Sequence, residues 1–128
     1  GGLDPIYNPF YWEELDLCYR AWKKGYKVLW CPDSKVIHQN KKGVIKSNYS
    51  QQDINLIGER NQLIFIWKNI SNPQLRRQHY LGLIKRVLLG PNYLKVIFRA
   101  YKRFKKFDNK RILDDEKKTD LEILDLFK

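Results

Sequence analysis

The sequence has only two cysteines, Cys18 and Cys31, in neither a Cys-x-x-Cys pair nor a spacing with histidine that would suit zinc. Both are expected to be reduced core residues, one on a helix and one at the end of a strand, which fits a cytoplasmic setting. No stretch approaches the ~20 apolar residues needed to cross a bilayer, so no segment is expected to span a membrane. The N-terminus lacks the basic-then-apolar order of a signal peptide. Internal repeats and low-complexity runs are missing too, and 128 residues suit one domain with a modest core.

The most uneven shortage is of acids. Residues 1–59 carry 8 basic and 7 acidic side chains and residues 108–128 carry 5 and 7, whereas residues 60–107 carry 12 basic groups and no acid. The formal charge of +11 therefore belongs to one segment, which should face something anionic, either a phosphate-rich membrane or nucleic acid.

Gly1, Gly2, Pro5, Asn8 and Pro9 mark residues 1–11 as a loop, open to being mobile. From Glu13 to Lys24, Leu15, Cys18, Tyr19 and Trp22 keep the spacing of one buried helix face, with acids in the first turn, bases in the last and Gly25 at the left-handed cap. Tyr26-Lys27-Val28-Leu29-Trp30-Cys31, stopped by Pro32, reads as a strand, and Val36-Ile37-His38 as a shorter one. A polar connector over 41–49 leads to Ser50-Gln51-Gln52-Asp53, which resembles a capping box opening a helix to about Lys68. Asn72-Pro73 starts another helix, which Gly90-Pro91-Asn92 ends. The next is amphipathic and basic, with Tyr93, Leu94, Ile97, Phe98, Tyr101 and Phe104 along one side. Thr119-Asp120-Leu121-Glu122 caps a short last helix behind the acidic patch Asp114-Asp115-Glu116.

Chemistry concentrates at Glu13, Glu14 and Asp16. Three acids in one turn repel, which tends to raise at least one pKa, while the helix N-terminus pulls the other way. Such a cluster suits a general base or a cation, and it equally suits plain capping of free N–H groups. His38, alone after a strand, is the kind of histidine that more often serves as a hydrogen-bonded structural residue.

The order Gly-Gly-Leu-Asp, Trp-Glu-Glu-Leu-Asp-Leu-Cys-Tyr-Arg, Lys-Gly-Tyr-Lys-Val and Pro-Asp-Ser-Lys-Val-Ile-His over residues 1–38 resembles the family 2 glycosyltransferases, in particular the bacterial rhamnosyltransferase-like group. Arg60-Asn61, Lys68-Asn69 and residues 120–127 are looser echoes of such proteins' C-terminal regions. The resemblance implies an α/β fold, the C-terminal portion of a GT-A (Rossmann-like) domain with few short strands, followed by a mostly helical extension. It implies inverting transfer from a nucleotide-sugar donor to a lipid-linked or polysaccharide acceptor. Glu14 falls where the family's base stands, usually an Asp, and its ordinary pKa of about 4.3 leaves it ionised near neutrality. Gly1, Gly2, Trp12 and Glu13, with Asp16 beside them, fall on positions around the sugars. His38 would hold a divalent metal, and a neutral imidazole suits manganese better than magnesium.

Residues 1–50 are thus expected to be the acceptor and catalytic-base half, 51–107 basic amphipathic helices, and 108–128 an acidic tail with a short helix. The family's nucleotide-binding half, with its Asp-x-Asp, is expected upstream of Gly1, and the 128 residues alone are expected to be inactive. Cations near anionic lipid are worth about 1 kcal/mol each, so residues 75–107 are expected to dock on the cytoplasmic face of a membrane, unless their apolar face packs wholly on the core. Nucleic acid explains the charge but not the motif, and acids near the site oppose a polyanion. A non-catalytic scaffold is the remaining alternative.

Overall fold

A computed structural model describes residues 2–37, 43–107 and 116–127. Six helices follow in order: α1 (Glu13–Lys23), α2 (Val44–Asn48), α3 (Gln51–Asn69), α4 (Pro73–Leu89), α5 (Leu94–Lys106) and α6 (Asp120–Asp125). Short 3-10 turns sit at Pro5–Tyr7 and Pro91–Tyr93.

Local chemistry sets the boundaries. Ser50 Oγ accepts from the Asp53 amide at 3.2 Å, Asn72 Oδ1 accepts from Gln74 and Leu75 ahead of α4, and Thr119 and Glu122 form a complete capping box. Gly25 closes α1 with φ of +80°. Its N–H donates to Trp22 O and that of Tyr26 to Ala21 O, both at 2.9 Å, the pair of bonds of a Schellman cap. A Cβ at Gly25 would also lie 3.3 Å from the Lys117 side chain. Gly25→Ala is accordingly expected to lower stability by about 1–2 kcal/mol, the cost of a left-handed L-residue, read from urea unfolding.

The α/β expectation is overturned: among the described residues there is no strand and no sheet. Residues 26–31 have a strand's composition, but a strand is half of a hydrogen-bonded pair, and none of the described residues supplies the other half. Their apolar side chains stand in the open instead, with Leu29 81% and Trp30 87% exposed, and Ile37 of the second expected strand is exposed too. The 1–50 segment is therefore not a GT-A half-domain, and Cys31 is exposed rather than in a core. The polar connector contains α2, whose Ile45 covers Phe10, Ile54 and Ile57.

α3 is the spine, with α1 and α5 packed against it and α6 against α1. One core joins the three expected segments: Ile6, Tyr7 and Tyr19 meet Leu63, Ile64 and Phe65 of α3, Val96 and Ala100 of α5, and Ile123 of α6. Full burial of an aliphatic side chain such as Ile64 contributes about 1.5–3 kcal/mol. α5 is apolar over a wider arc than the core covers. Val96 and Ala100 go in, while Leu94, Phe98 and Tyr101 stay exposed.

Candidate functional site

The loop ahead of α1 is held by side chains of α3 and α5. Asn61 Nδ2 donates to the carbonyls of Tyr7, Phe10 and Tyr11 at 2.6, 2.9 and 3.0 Å. Arg60 donates to Asn8 O, and Arg103 to Pro5 O and Ile6 O. Burial, with the Arg103 and Arg99 charges nearby, brings the Arg60 guanidinium down to about 10. Arg60-Asn61, only an echo in the sequence, is thus the clamp that shapes the approach to the acids.

That clamp holds strain. Tyr11 and Trp12, neither of them glycine, have φ of 72° and 78°, each a left-handed conformation costing on the order of 1–3 kcal/mol. Trp12 O still accepts the Asp16 amide at 2.9 Å, so the strained pair delivers the chain directly into the acidic first turn.

The three acids then part company. Asp16 is fully buried. Its Oδ1 accepts from Tyr7 Oη at 2.8 Å, Asn69 Nδ2 at 2.8 Å and Lys68 Nζ at 3.0 Å, and its Oδ2 from Arg20 Nε at 2.7 Å. Burial pushes its pKa up, but the Asn69 hydrogen bond and the Lys68 ammonium outweigh it and leave the carboxyl below its ordinary value. Burial and the Asp16 charge drive the Tyr7 phenol well above its ordinary range, so it stays a donor. Lys68 also reaches Asp4 at 2.6 Å, and Arg20 reaches Gly2 O at 2.7 Å. Asp16 is therefore a structural hub, and the expectation that it contacts substrate is corrected: no oxygen of it is open to a ligand.

Glu14 is the opposite case, exposed and, among the described residues, without a side-chain hydrogen bond or ion pair. Glu13 is half-buried, with a buried Oε2 that has no partner. Trp12 leans on Phe65 with ring centroids 5.3 Å apart, which commits much of that indole to packing. Gly2 is exposed with φ of 90°. Gly1 and His38 lie outside the described residues. Trp12, Glu13 and Glu14 are thus neighbours at the start of α1, whereas Gly2 is tied to Arg20 in its last turn.

Among the described residues no three His, Cys, Asp or Glu side chains form a group suited to a metal ion. Asp16 is matched by Arg20 and Lys68, and His38, the ligand expected for a divalent metal, lies outside the described residues.

A second buried carboxylate was missed by the sequence reading. Asp120 accepts from Tyr19 Oη at 2.6 Å, Lys23 Nζ at 2.7 Å and the amides of Ser71 and Asn72 at 2.8 and 2.6 Å. Burial raises its pKa, but the bonds from Lys23, Tyr19 and Asn72 bring it below the ordinary value. The signal that could have found both hubs is polar residues inside an apolar stripe: Asp16 and Lys23 share a helical face with Trp12 and Tyr19, as Asn61 and Lys68 do with Ile54, Ile57 and Ile64.

No protein-family model, no curated protein and no solved structure matches this chain. The reading of the site rests on its residues.

Proposed function

We propose that the chain supplies the acceptor side of an inverting sugar-transfer enzyme, with Glu14 as the base. The observation that carries this is the sorting of the acids: Asp16 is consumed by structure, and Glu14, in the same turn, is exposed and unpartnered. A base must come within about 3 Å of the proton it takes, and only an exposed carboxylate can meet an acceptor hydroxyl. The strain at Tyr11 and Trp12 supports the same place, since such strain gathers at functional sites.

The chemistry asked of Glu14 is simple. Its carboxylate takes the acceptor hydroxyl proton as that oxygen attacks the anomeric carbon of a nucleotide sugar. The bond from that carbon to the diphosphate breaks with its electron pair leaving on the nucleoside diphosphate, and the carbon inverts.

Among the described residues no helix is long and apolar enough to cross a membrane. The acid-free helices α4 and α5 suit instead a peripheral position on the cytoplasmic face, where nucleotide sugars and lipid-linked acceptors meet.

The test is transfer of radiolabelled sugar in a polypeptide that joins these residues to a donor site. Glu14→Gln is expected to lower kcat/KM about a hundredfold, the lower end of what a general base contributes, with unfolding unchanged. An unaltered rate would leave the scaffold alternative standing in its place.

A further inference from the structure

α4 and α5 form a hairpin over the end of α3, and a groove of about 620 Å³ runs between them. Its floor and walls are Trp67, Tyr80, Leu83, Ile97 and Phe104, with Arg76 at the edge. Contacts with His79 and Phe104 help to hold Trp67. Its Nε1 donates to His79 Nε2 at 3.1 Å, and its ring stands edge-on to Phe104 at 6.0 Å. Burial lowers the His79 pKa, which favours the neutral imidazole that can accept this bond. Sharing Arg76 and Tyr80 with this groove is a second of about 430 Å³, whose far side carries Arg77, Leu81 and Ile84.

Charge and exposure say what fits. The mouth, at the start of α4 and the end of α5, is cationic: Arg76 lines both grooves, Arg77 lines the second, and on α5 the Lys105 ammonium lies 5.9 Å from the centre of the Tyr101 ring. No acid lies in residues 60–107, and the acids that reach the start of α4 from elsewhere, Asp120 and Glu116, are both paired with Lys23. The same two helices also expose apolar side chains, with Leu88 of α4 79% and Phe98 of α5 67% accessible. A hydrocarbon slot with a cationic mouth, on helices that also expose apolar side chains, matches a phosphate head on an acyl chain, presented at a bilayer surface.

We propose that this groove takes one acyl chain of an anionic phospholipid, with the lipid phosphate between Arg76 and Arg77, as the hairpin lies on the membrane. The proposal rests on the membrane-facing part of the reading above, and names the residues and the lipid that would carry it.

The experiment uses the whole chain carrying Trp30→Phe, which removes the exposed indole. Vesicles of phosphatidylcholine, with and without phosphatidylglycerol, carry bromine on the acyl chains. Binding is expected only with phosphatidylglycerol, accompanied by quenching of indole emission that Trp67→Phe abolishes. Replacing Arg76 and Arg77 together by alanine is expected to weaken binding about 30-fold, at about 1 kcal/mol per cation. Binding to vesicles with quenching that Trp67→Phe leaves unchanged would overturn the groove and leave peripheral docking intact. Failure to bind at any lipid composition would overturn docking and groove together, without touching Glu14. A lipid-free dimer that shields Trp67 from aqueous acrylamide would overturn the lipid in favour of a second copy of the chain.

Discussion

Asp16→Asn is expected to lower the unfolding free energy by about 3–5 kcal/mol, the usual result of removing one partner from a buried ion pair. The reason lies in what the two oxygens do. Four side chains donate to them, and Oδ1 alone takes Tyr7, Asn69 and Lys68. An amide must turn its own –NH2 towards one of these sets, donor against donor, whichever way it flips. The substitution also strips the charge that Arg20 and Lys68 face at 2.7 and 3.0 Å, leaving Lys68 to Asp4 alone. Urea unfolding followed by circular dichroism measures the loss, and a change below about 0.5 kcal/mol, ordinary for a surface site, would show that Asp16 is not the hub described.

Glu14→Gln is the internal control, for it should leave stability alone while lowering transfer. Acid should reproduce the Asp16 result without a mutation. Asp16 and Asp120 both have folded pKa values below the ordinary carboxylate value. Such groups contribute stability that is fully present above the unfolded pKa and is lost as pH falls through the folded one. The wild-type protein should therefore hold its stability from neutrality down to the ordinary carboxylate range, about pH 4, and lose it below. In Asp16→Asn that acid-dependent loss should be smaller.

Helix ends were legible in the sequence and helix faces only partly. Gly25, Ser50, Asn72-Pro73 and Thr119 act on backbone groups a few residues away, so their effect is written locally. The face that α1 buries is not. Leu15, Cys18, Tyr19 and Trp22 keep a helical period, and so do Trp12, Asp16, Tyr19 and Lys23. Apolar preference chooses the first set, yet Leu15 is 41% exposed and Asp16 and Lys23 are buried. What turns the helix is a pair of partners, Lys68 and Asp120, that lie on α3 and α6 and leave no trace in the local pattern. The strand at 26–31 failed for a related reason, because residue type fixes the readiness to pair and not the presence of a neighbour. At the acids, spacing showed three similar carboxylates, and beyond Arg20, four residues on from Asp16, it is the positions of Tyr7, Lys68 and Asn69 that separate Asp16 from Glu14.

Asp120→Ala is expected to cost about as much as losing Asp16, roughly 3–5 kcal/mol, and Lys23→Met distinctly less. The asymmetry follows from who is left unpaired. Without Asp120, the amides of Ser71 and Asn72 and the Tyr19 hydroxyl lose their acceptor at the joint between α3 and α4, while Lys23 keeps Glu116 at 2.8 Å. Without Lys23, Asp120 keeps all three of those donors, and each charge-assisted bond is worth about 1.5–3 kcal/mol. The double variant should therefore lose less than the sum of the singles, since the two side chains share one interaction. The joint also fastens the last helix, because Asp120 and the buried Ile123 are what α6 places inside. Hydrogen exchange should show the amides of residues 119–126 losing protection in Asp120→Ala under conditions where α3 keeps its own. Equal loss in both helices would mean that the tail and the spine unfold as one unit, and that Asp120 is a member of the central core instead of a clasp on its edge.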